Sequence, residues 1–153
     1  MVSPEVLKRF PLCAGLDEGA LRQLAAIAEE VSFPRGTLIF AEGEPAHTFY
    51  LLLDGWVDIL VNMDASGDRR EPVTILSPGD LFGWSALVEP YVYTASARCA
   101  SPVSAVRVRR DDLRRLLETD PELCCTIITR VCQVIVSRLR ATRAQMVRLL
   151  VTG

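Results

Sequence analysis

The chain has 153 residues, half of them hydrophobic and 24% charged, with a formal net charge of −2. That describes a single globular domain with room for a real core, and it excludes a protein whose whole surface attracts nucleic acid. No apolar run approaches the roughly 20 residues of a membrane span, and Met1-Val2-Ser3-Pro4-Glu5 lacks the regions of a signal peptide, so a cytoplasmic location with no membrane partner is the expectation.

The N-terminal portion reads as helical, first over Val6–Phe10 and then from Asp17 to about Glu29. Asp17 is placed to cap the second helix, with Glu18 in its first turn. Leu16, Ala20, Leu21, Leu24, Ala25 and Ile27–Ala28 supply its apolar stripe. From Val31 the signal changes to short β runs: Val31–Phe33, Thr37–Phe40, Phe49–Asp54, Trp56–Asn62, Val73–Leu76, Tyr93–Cys99 and Val103–Arg109. Turn residues separate them densely, at Pro34-Arg35-Gly36, Glu42-Gly43-Glu44-Pro45, Ser66-Gly67-Asp68 and Ser77-Pro78-Gly79-Asp80, which predicts an all-β barrel or sandwich. Asp54-Gly55 between two apolar runs predicts a tight hairpin, and Asp64–Glu71 a polar hairpin tip.

Directly after the Ser77–Asp80 turn, and running into the Tyr93–Cys99 strand, lies the most informative segment, Leu81 to Ala97. It reads as a strand end, then Gly83, one short helical turn, and a second strand. A glycine ahead of a short helix leaves backbone N–H groups unpaired and aimed outward, a cradle suited to an anion.

The last third is helical again. Arg110–Thr119 forms a short amphipathic helix, and Asp120-Pro121 restarts helix with Asp as cap and Pro in the first turn. The run from Pro121 to about Leu150 contains no glycine and no further proline, and at about 1.5 Å per residue it reaches about 45 Å. Along it Ile128, Cys132, Ile135, Leu139, Thr142, Met146 and Leu149 alternate steps of four and three, the 3.5-residue seam of a helix that pairs with another helix. Leu123 and Ile127 are expected to pack on the chain's own domain, and Ile128, Ile135, Leu139 and Met146 to carry a homodimer.

The cysteines, Cys13, Cys99, Cys124, Cys125 and Cys132, are odd in number and contain no Cys-x-x-Cys pair, so no metal cluster is expected. They read as small buried hydrophobes in a reducing compartment, with a redox role for Cys99 or Cys13 as the alternative. Lys8 is the only lysine. Five arginines fall between Arg107 and Arg115 and five between Arg130 and Arg148. Arg107, Arg109 and Arg110, which end a strand and open a helix, read as a solvated face paired with Asp111, Asp112 and Glu118, or else as a docking patch for a partner or DNA. His47 sits in the turn Pro45-Ala46-His47-Thr48 as a solvated residue. With one histidine the chain cannot supply the two histidines and a carboxylate of a β-roll oxygenase. Ser85 lacks the Gly-x-Ser-x-Gly frame of a nucleophile elbow. No enzyme activity, catalytic residue, metal or cofactor is expected.

Together these elements resemble the cyclic nucleotide-binding domain, and more closely the sensor domain of the catabolite activator/Fnr family of bacterial regulators. The resemblance is carried by Phe33-Pro34-Arg35-Gly36-Thr37-Leu38-Ile39-Phe40, by Glu42-Gly43-Glu44-Pro45 and by Phe49-Tyr50-Leu51-Leu52-Leu53-Asp54-Gly55-Trp56-Val57. It continues through Leu76-Ser77-Pro78-Gly79-Asp80-Leu81-Phe82-Gly83 and Ala86-Leu87. It implies a mainly β fold, a double-stranded β-helix (jelly roll) of about eight short strands with flanking N-terminal helices and a long C-terminal helix. Residues 1–120 would form the roll with its N-terminal helices, and 121–153 a dimerisation helix or lid of the same domain. Family regulators place a DNA-binding element after the long helix; this chain stops at Gly153, so it carries none within itself, whether as a free-standing sensor or as part of a longer protein.

In that family the glycine and short helix clasp a cyclic phosphate, a glutamate after the glycine binds the ribose, and an arginine on the next strand pairs with the phosphate. Here Gly83 is present, Trp84 stands at the glutamate position and Tyr93 at the arginine position. Truncating one partner of a buried charge-assisted pair costs about 2–5 kcal/mol, or roughly 30- to 4,000-fold in affinity. The resemblance therefore implies a sensor of altered specificity. The ligand-binding set would be Gly83, Trp84, Ser85, Ala86, Leu87, Tyr93 and Thr94, with Arg138, or else Arg98, as a substitute cation; Tyr91 would add another aromatic face. Three readings stay open: side chains fill the old pocket and leave a dimerisation or interaction module, a small aromatic or anionic effector binds, or a cyclic nucleotide binds in an altered way.

Overall fold

The computed structural model describes residues 2–152. Helix α1 (Pro4–Leu7) is capped by Ser3, whose Oγ accepts the Glu5 N–H at 3.1 Å. A 3-10 turn over Pro11–Cys13 follows, then α2 (Glu18–Ala26), where Asp17 accepts the Ala20 N–H at 2.8 Å. The expected helix ends two to three residues early. Ala28-Glu29-Glu30 opens strand β1 (Ala28–Phe33) instead, because Ala28 and Glu29 pair with Val108 and Arg107 of the strand β8 (Val103–Arg109). Tertiary pairing overrides helix propensity there.

The remaining strands are β2 (Leu38–Phe40), β3 (Thr48–Asp54), β4 (Val57–Asn62), β5 (Arg70–Leu76), β6 (Leu81–Phe82) and β7 (Ser96–Cys99). They form two antiparallel four-stranded sheets, ordered β1-β8-β3-β6 and β2-β7-β4-β5. This is the expected jelly roll of eight short strands with helices at both ends. Two local expectations are corrected. Asp54-Gly55 is not a hairpin turn, since β3 and β4 belong to different sheets; it hands the chain from one sheet to the other. Gly55 has φ +91°, and a Cβ there would lie 2.2 Å from the Pro102 carbonyl oxygen, so the close approach excludes any side chain. The polar tip is also shorter than expected, because Arg70 and Glu71 already pair with Asn62 and Val61 in β5. β5 is an edge strand, which accommodates the missing N–H of Pro72.

Strand β3 shows how the roll is packed. Phe49 and Leu51 are buried against Leu24, Leu113 and Ile127 of the helical layer. Tyr50, on the opposite face of the strand, stacks on Phe82 inside the roll with centroids 5.1 Å apart. The chain then runs through α3 (Arg110–Thr119) into α4 (Pro121–Thr152), with Asp120 accepting the Leu123 N–H at 3.0 Å as its cap. At 32 residues, α4 is about 48 Å long. Leu123, Ile127 and Val131 bury its first turns, while every residue from Leu139 to Thr152 is exposed.

Candidate functional site

The site is built where β6 meets its 3-10 turn, Trp84–Leu87. Gly83 caps that turn in the left-handed region, φ 77° and ψ 24°. A Cβ at Gly83 would lie 3.1 Å from the Thr48 carbonyl oxygen and 3.3 Å from Tyr50 Cδ2. The glycine thus lets the turn settle directly onto an aromatic layer inside the roll.

That layer is the main feature the sequence pattern concealed. Tyr93 lies flat on Phe40, ring centroids 3.8 Å apart and planes 9° from parallel. Phe40 in turn stacks on Tyr50 at 6.0 Å and contacts Phe82 at 6.1 Å. The Tyr93 hydroxyl donates to the Thr48 carbonyl at 2.7 Å, and the residue is only 6% exposed. Burial, and secondarily Tyr50, push the Tyr93 phenol well above its ordinary range. A tyrosine so stacked and hydrogen-bonded is core. Phe40, Tyr50 and Phe82 could have been suspected from their inward positions on alternating strands, but nothing in the sequence places four rings in one stack.

The hollow left beside this layer is about 40 Å³ and is lined by Gly83, Trp84, Ser85, Tyr93, Thr94 and Arg138, among others. That is space for water-sized occupants, against roughly 300–1,000 Å³ for ordinary ligand pockets. Six of the eight expected site residues are brought together here. Ala86 and Leu87 are not: they line a different hollow of about 310 Å³ with Tyr91, Arg110 and Ile128, between the turn and the α3–α4 corner. Tyr91 is correspondingly turned from the cup, with the Arg110 guanidinium 4.5 Å above its ring.

Arg138 approaches the cup from the middle of α4. Its guanidinium sits 4.6 Å over the Trp84 ring and donates to the Leu81 carbonyl. Burial lowers its pKa, partly offset by the charge of Asp80, yet among the described residues no carboxylate pairs with it. Arg98, the other suggested cation, is exposed on β7 opposite Asp58 and does not line the cup. A larger hollow, about 430 Å³, lies elsewhere, between Pro11–Ala14, Gly79–Leu81 and α4.

Outside the cup, His47 is exposed. Of the expected pairs Arg110–Asp111 forms, whereas Glu118 and Asp112 are taken by Arg114 and Arg115 of their own helix. Arg107 differs, reaching across β1 to Glu29. Cys13 and Cys99 are buried, and burial raises the Cys13 thiol to about 11. Cys125 and Cys132 are exposed rather than buried, since they lie on the side of α4 away from the roll. Among the described residues no group of three or more His, Cys, Asp or Glu side chains could hold a metal, and no helix is long and apolar enough to cross a membrane.

The profile of the cyclic nucleotide-binding domain matches residues 30–120, which span β1 to the end of α3. The chain belongs to the cyclic nucleotide-binding domain family. It is 34% identical over 148 residues to the CRP-like cAMP-activated global transcriptional regulator of Mycobacterium tuberculosis, a match covering 97% of this chain and 63% of that protein. It is 32% identical over 111 residues to the cAMP-dependent protein kinase regulatory subunit of Emericella nidulans, covering 72% of this chain and 26% of the relative. A crystal structure from Geobacter metallireducens, provisionally named a cyclic nucleotide-binding protein, superposes with a TM-score of 0.80 at 35% identity over 91% of this chain and 99% of its own. This cyclic nucleotide-binding domain therefore spans less than two thirds of the curated relatives it matches. Its kinship is with CRP-type regulators and protein kinase regulatory subunits, and it points to a regulatory, non-enzymatic domain.

Proposed function

We propose that the chain is a ligand-sensing regulatory domain whose specificity has moved away from cyclic nucleotides held in the family's usual way. One observation carries this reading. Tyr93, which stands where the resemblance puts the phosphate-binding arginine, is committed to the core by its stack on Phe40 and its bond to Thr48. Trp84, at the place of the sugar-binding glutamate, is itself engaged by Arg138. A cyclic phosphate entering the cup would find Tyr93 in place of the family's arginine, the Arg138 guanidinium already stacked on Trp84 and bonded to Leu81, and a hollow of about 40 Å³; without its own charge-assisted pair it loses roughly 30- to 4,000-fold.

Calorimetric titration with cyclic AMP and cyclic GMP tests the reading. No saturable binding at micromolar concentration is expected; micromolar binding of either refutes it. The same small hollow favours one other reading, a permanently filled interaction module, which predicts that no small molecule stabilises the protein at all.

The output element in this proposal is α4. Ile128, Leu139 and Met146 are 39%, 48% and 58% exposed, and Leu149, Leu150 and Val151 each exceed 70%. A helix tail that exposes this much apolar surface, touching its own domain through Gln145 and Val73, would be stabilised by packing against a second copy. The homodimer would run through Ile128, Ile135, Leu139 and Met146. A ligand that repositions Arg138 or the Gly83 turn would move α4, and two paired helices turn that local shift into a change between subunits.

A further inference from the structure

The hollow of about 430 Å³ between the N-terminal 3-10 turn, Gly79–Leu81 and α4 shares no lining residue with the cup. Its size falls within the roughly 300–1,000 Å³ of small-molecule pockets. Its wall carries one charge of each sign. Half-buried Arg130 donates through Nη1 to the Leu12 carbonyl at 2.8 Å and the Pro11 carbonyl at 3.4 Å, which leaves Nε and Nη2 open. Half-buried Asp80 accepts the Ser77 N–H on Oδ2 at 2.8 Å, which leaves Oδ1 open. Among the described residues neither forms an ion pair, with the other or with any third group. Arg138 feels the Asp80 charge from beyond ion-pair distance and is already engaged by Leu81 and Trp84. We propose that this hollow is a second ligand site, and that its ligand is a zwitterion with an apolar body, a free amino acid or a dipeptide, the carboxylate on Arg130 and the ammonium on Asp80.

Charge, lining and position each support the assignment. Partly buried charges are costly unless paired, and a ligand carrying both signs pairs each of them, whereas a simple anion or cation leaves one unmatched. The guanidinium keeps donors for a planar carboxylate, and a carboxylate oxygen suits the three donors of an ammonium group. Between the charges, Leu12, Leu81 and Val134 supply an apolar surface for an aliphatic side chain. On α4 the hollow is lined by Arg130, Gln133, Val134 and Ser137. At 100° per residue these lie on the opposite side of the helix from Ile128, Cys132, Ile135 and Leu139, so pairing of two copies along the seam leaves the hollow open to a small molecule. Leu81 also opens the strand that leads to Gly83. An occupant would therefore tie α4 to the N-terminal turn and to that strand. The inference goes beyond the reading of the cup and does not depend on what the cup binds.

Calorimetric titration of the full chain with L-leucine and with leucyl-leucine tests it, the two probes differing in the separation of their charges. Each is compared with its N-acetyl form, which lacks the ammonium, and its amide, which lacks the carboxylate. Saturable binding of at least one zwitterion is expected, with both of its blocked forms weaker by about tenfold or more, the loss of one charge-assisted contact; the tighter probe identifies the source. Arg130→Gln should lower the zwitterion to the affinity of its amide, and Asp80→Asn to that of its N-acetyl form. Because Arg130 also tethers the Pro11–Leu12 turn, Arg130→Lys serves as the milder variant and should retain part of the affinity. Ser137→Phe, at an exposed position, should fill the hollow and abolish binding while leaving the melting temperature near that of the parent. Equal affinity for a zwitterion and its blocked forms, binding indifferent to Ser137→Phe, or no saturable binding of either zwitterion at millimolar concentration overturns the proposal.

Discussion

Replacing Tyr93 separates a ring that guards a pocket from one that has become part of the core. The side chain is 6% exposed, lies 3.8 Å from Phe40 in a near-parallel stack and donates to Thr48 at 2.7 Å. Tyr93→Ala removes the ring and leaves a void that Phe40, Tyr50 and Phe82, already packed on one another, cannot collapse into. Large aromatic-to-alanine changes in such surroundings cost about 3–5 kcal/mol. Tyr93→Phe keeps the ring and the stack and deletes only the hydroxyl, for about 0.5–1.5 kcal/mol. In a domain of this size each kcal/mol is worth roughly 2–4 °C. Tyr93→Ala should thus melt about 6–20 °C below the parent, and Tyr93→Phe about 1–6 °C below it. Urea unfolding followed by far-ultraviolet circular dichroism gives the free energies directly, and an unchanged denaturant slope confirms that the unfolded state is not the cause. If Tyr93→Ala costs less than about 1 kcal/mol, the ring is not structural, and the argument that the cup is filled by core residues fails.

Other consequences can be measured with the same methods. An unfolded tyrosine ionises near pH 10, but burial keeps Tyr93, and to a smaller degree Tyr50, neutral to higher pH in the fold. Their contribution is complete below pH 10 and is lost as pH rises above it, at about 1.4 kcal/mol per pH unit for each tyrosine held neutral; Tyr93→Phe should flatten that slope in alkaline unfolding curves. Gly83→Ala should lose about 1–2 kcal/mol from the left-handed backbone alone, and Gly55→Ala should lose more, because its Cβ meets the Pro102 carbonyl at 2.2 Å; equal costs in parallel denaturation curves would contradict the contact argument. Leu139→Glu, at an exposed position on the seam, should convert a dimer to a monomer by light scattering without lowering the helical signal of the roll-bound half of α4; a dimer that persists with unchanged affinity would place the interface elsewhere.

Much of the architecture was legible because its determinants are local. Asp17 and Asp120 cap the helices they precede, since an N-cap needs only one oxygen and the next few residues. Gly83 announces a left-handed turn because almost nothing else tolerates that backbone. The continuous length of α4 follows from a run with no glycine and no further proline after Pro121. What tertiary structure alone decided is where those residues face. Asp54-Gly55 has the composition of a hairpin, yet it bridges two sheets, because strand partners are chosen by contacts far apart in sequence. Ala86 and Leu87 share a turn with Trp84 and Ser85 but open onto another hollow. Four aromatic rings from four stretches of chain converge beneath Gly83, and an arginine more than fifty residues away lies on Trp84. Chain chemistry sets which groups are available; only the closing of the roll brings them within van der Waals and hydrogen-bonding distance, where the interactions that define a site begin to act.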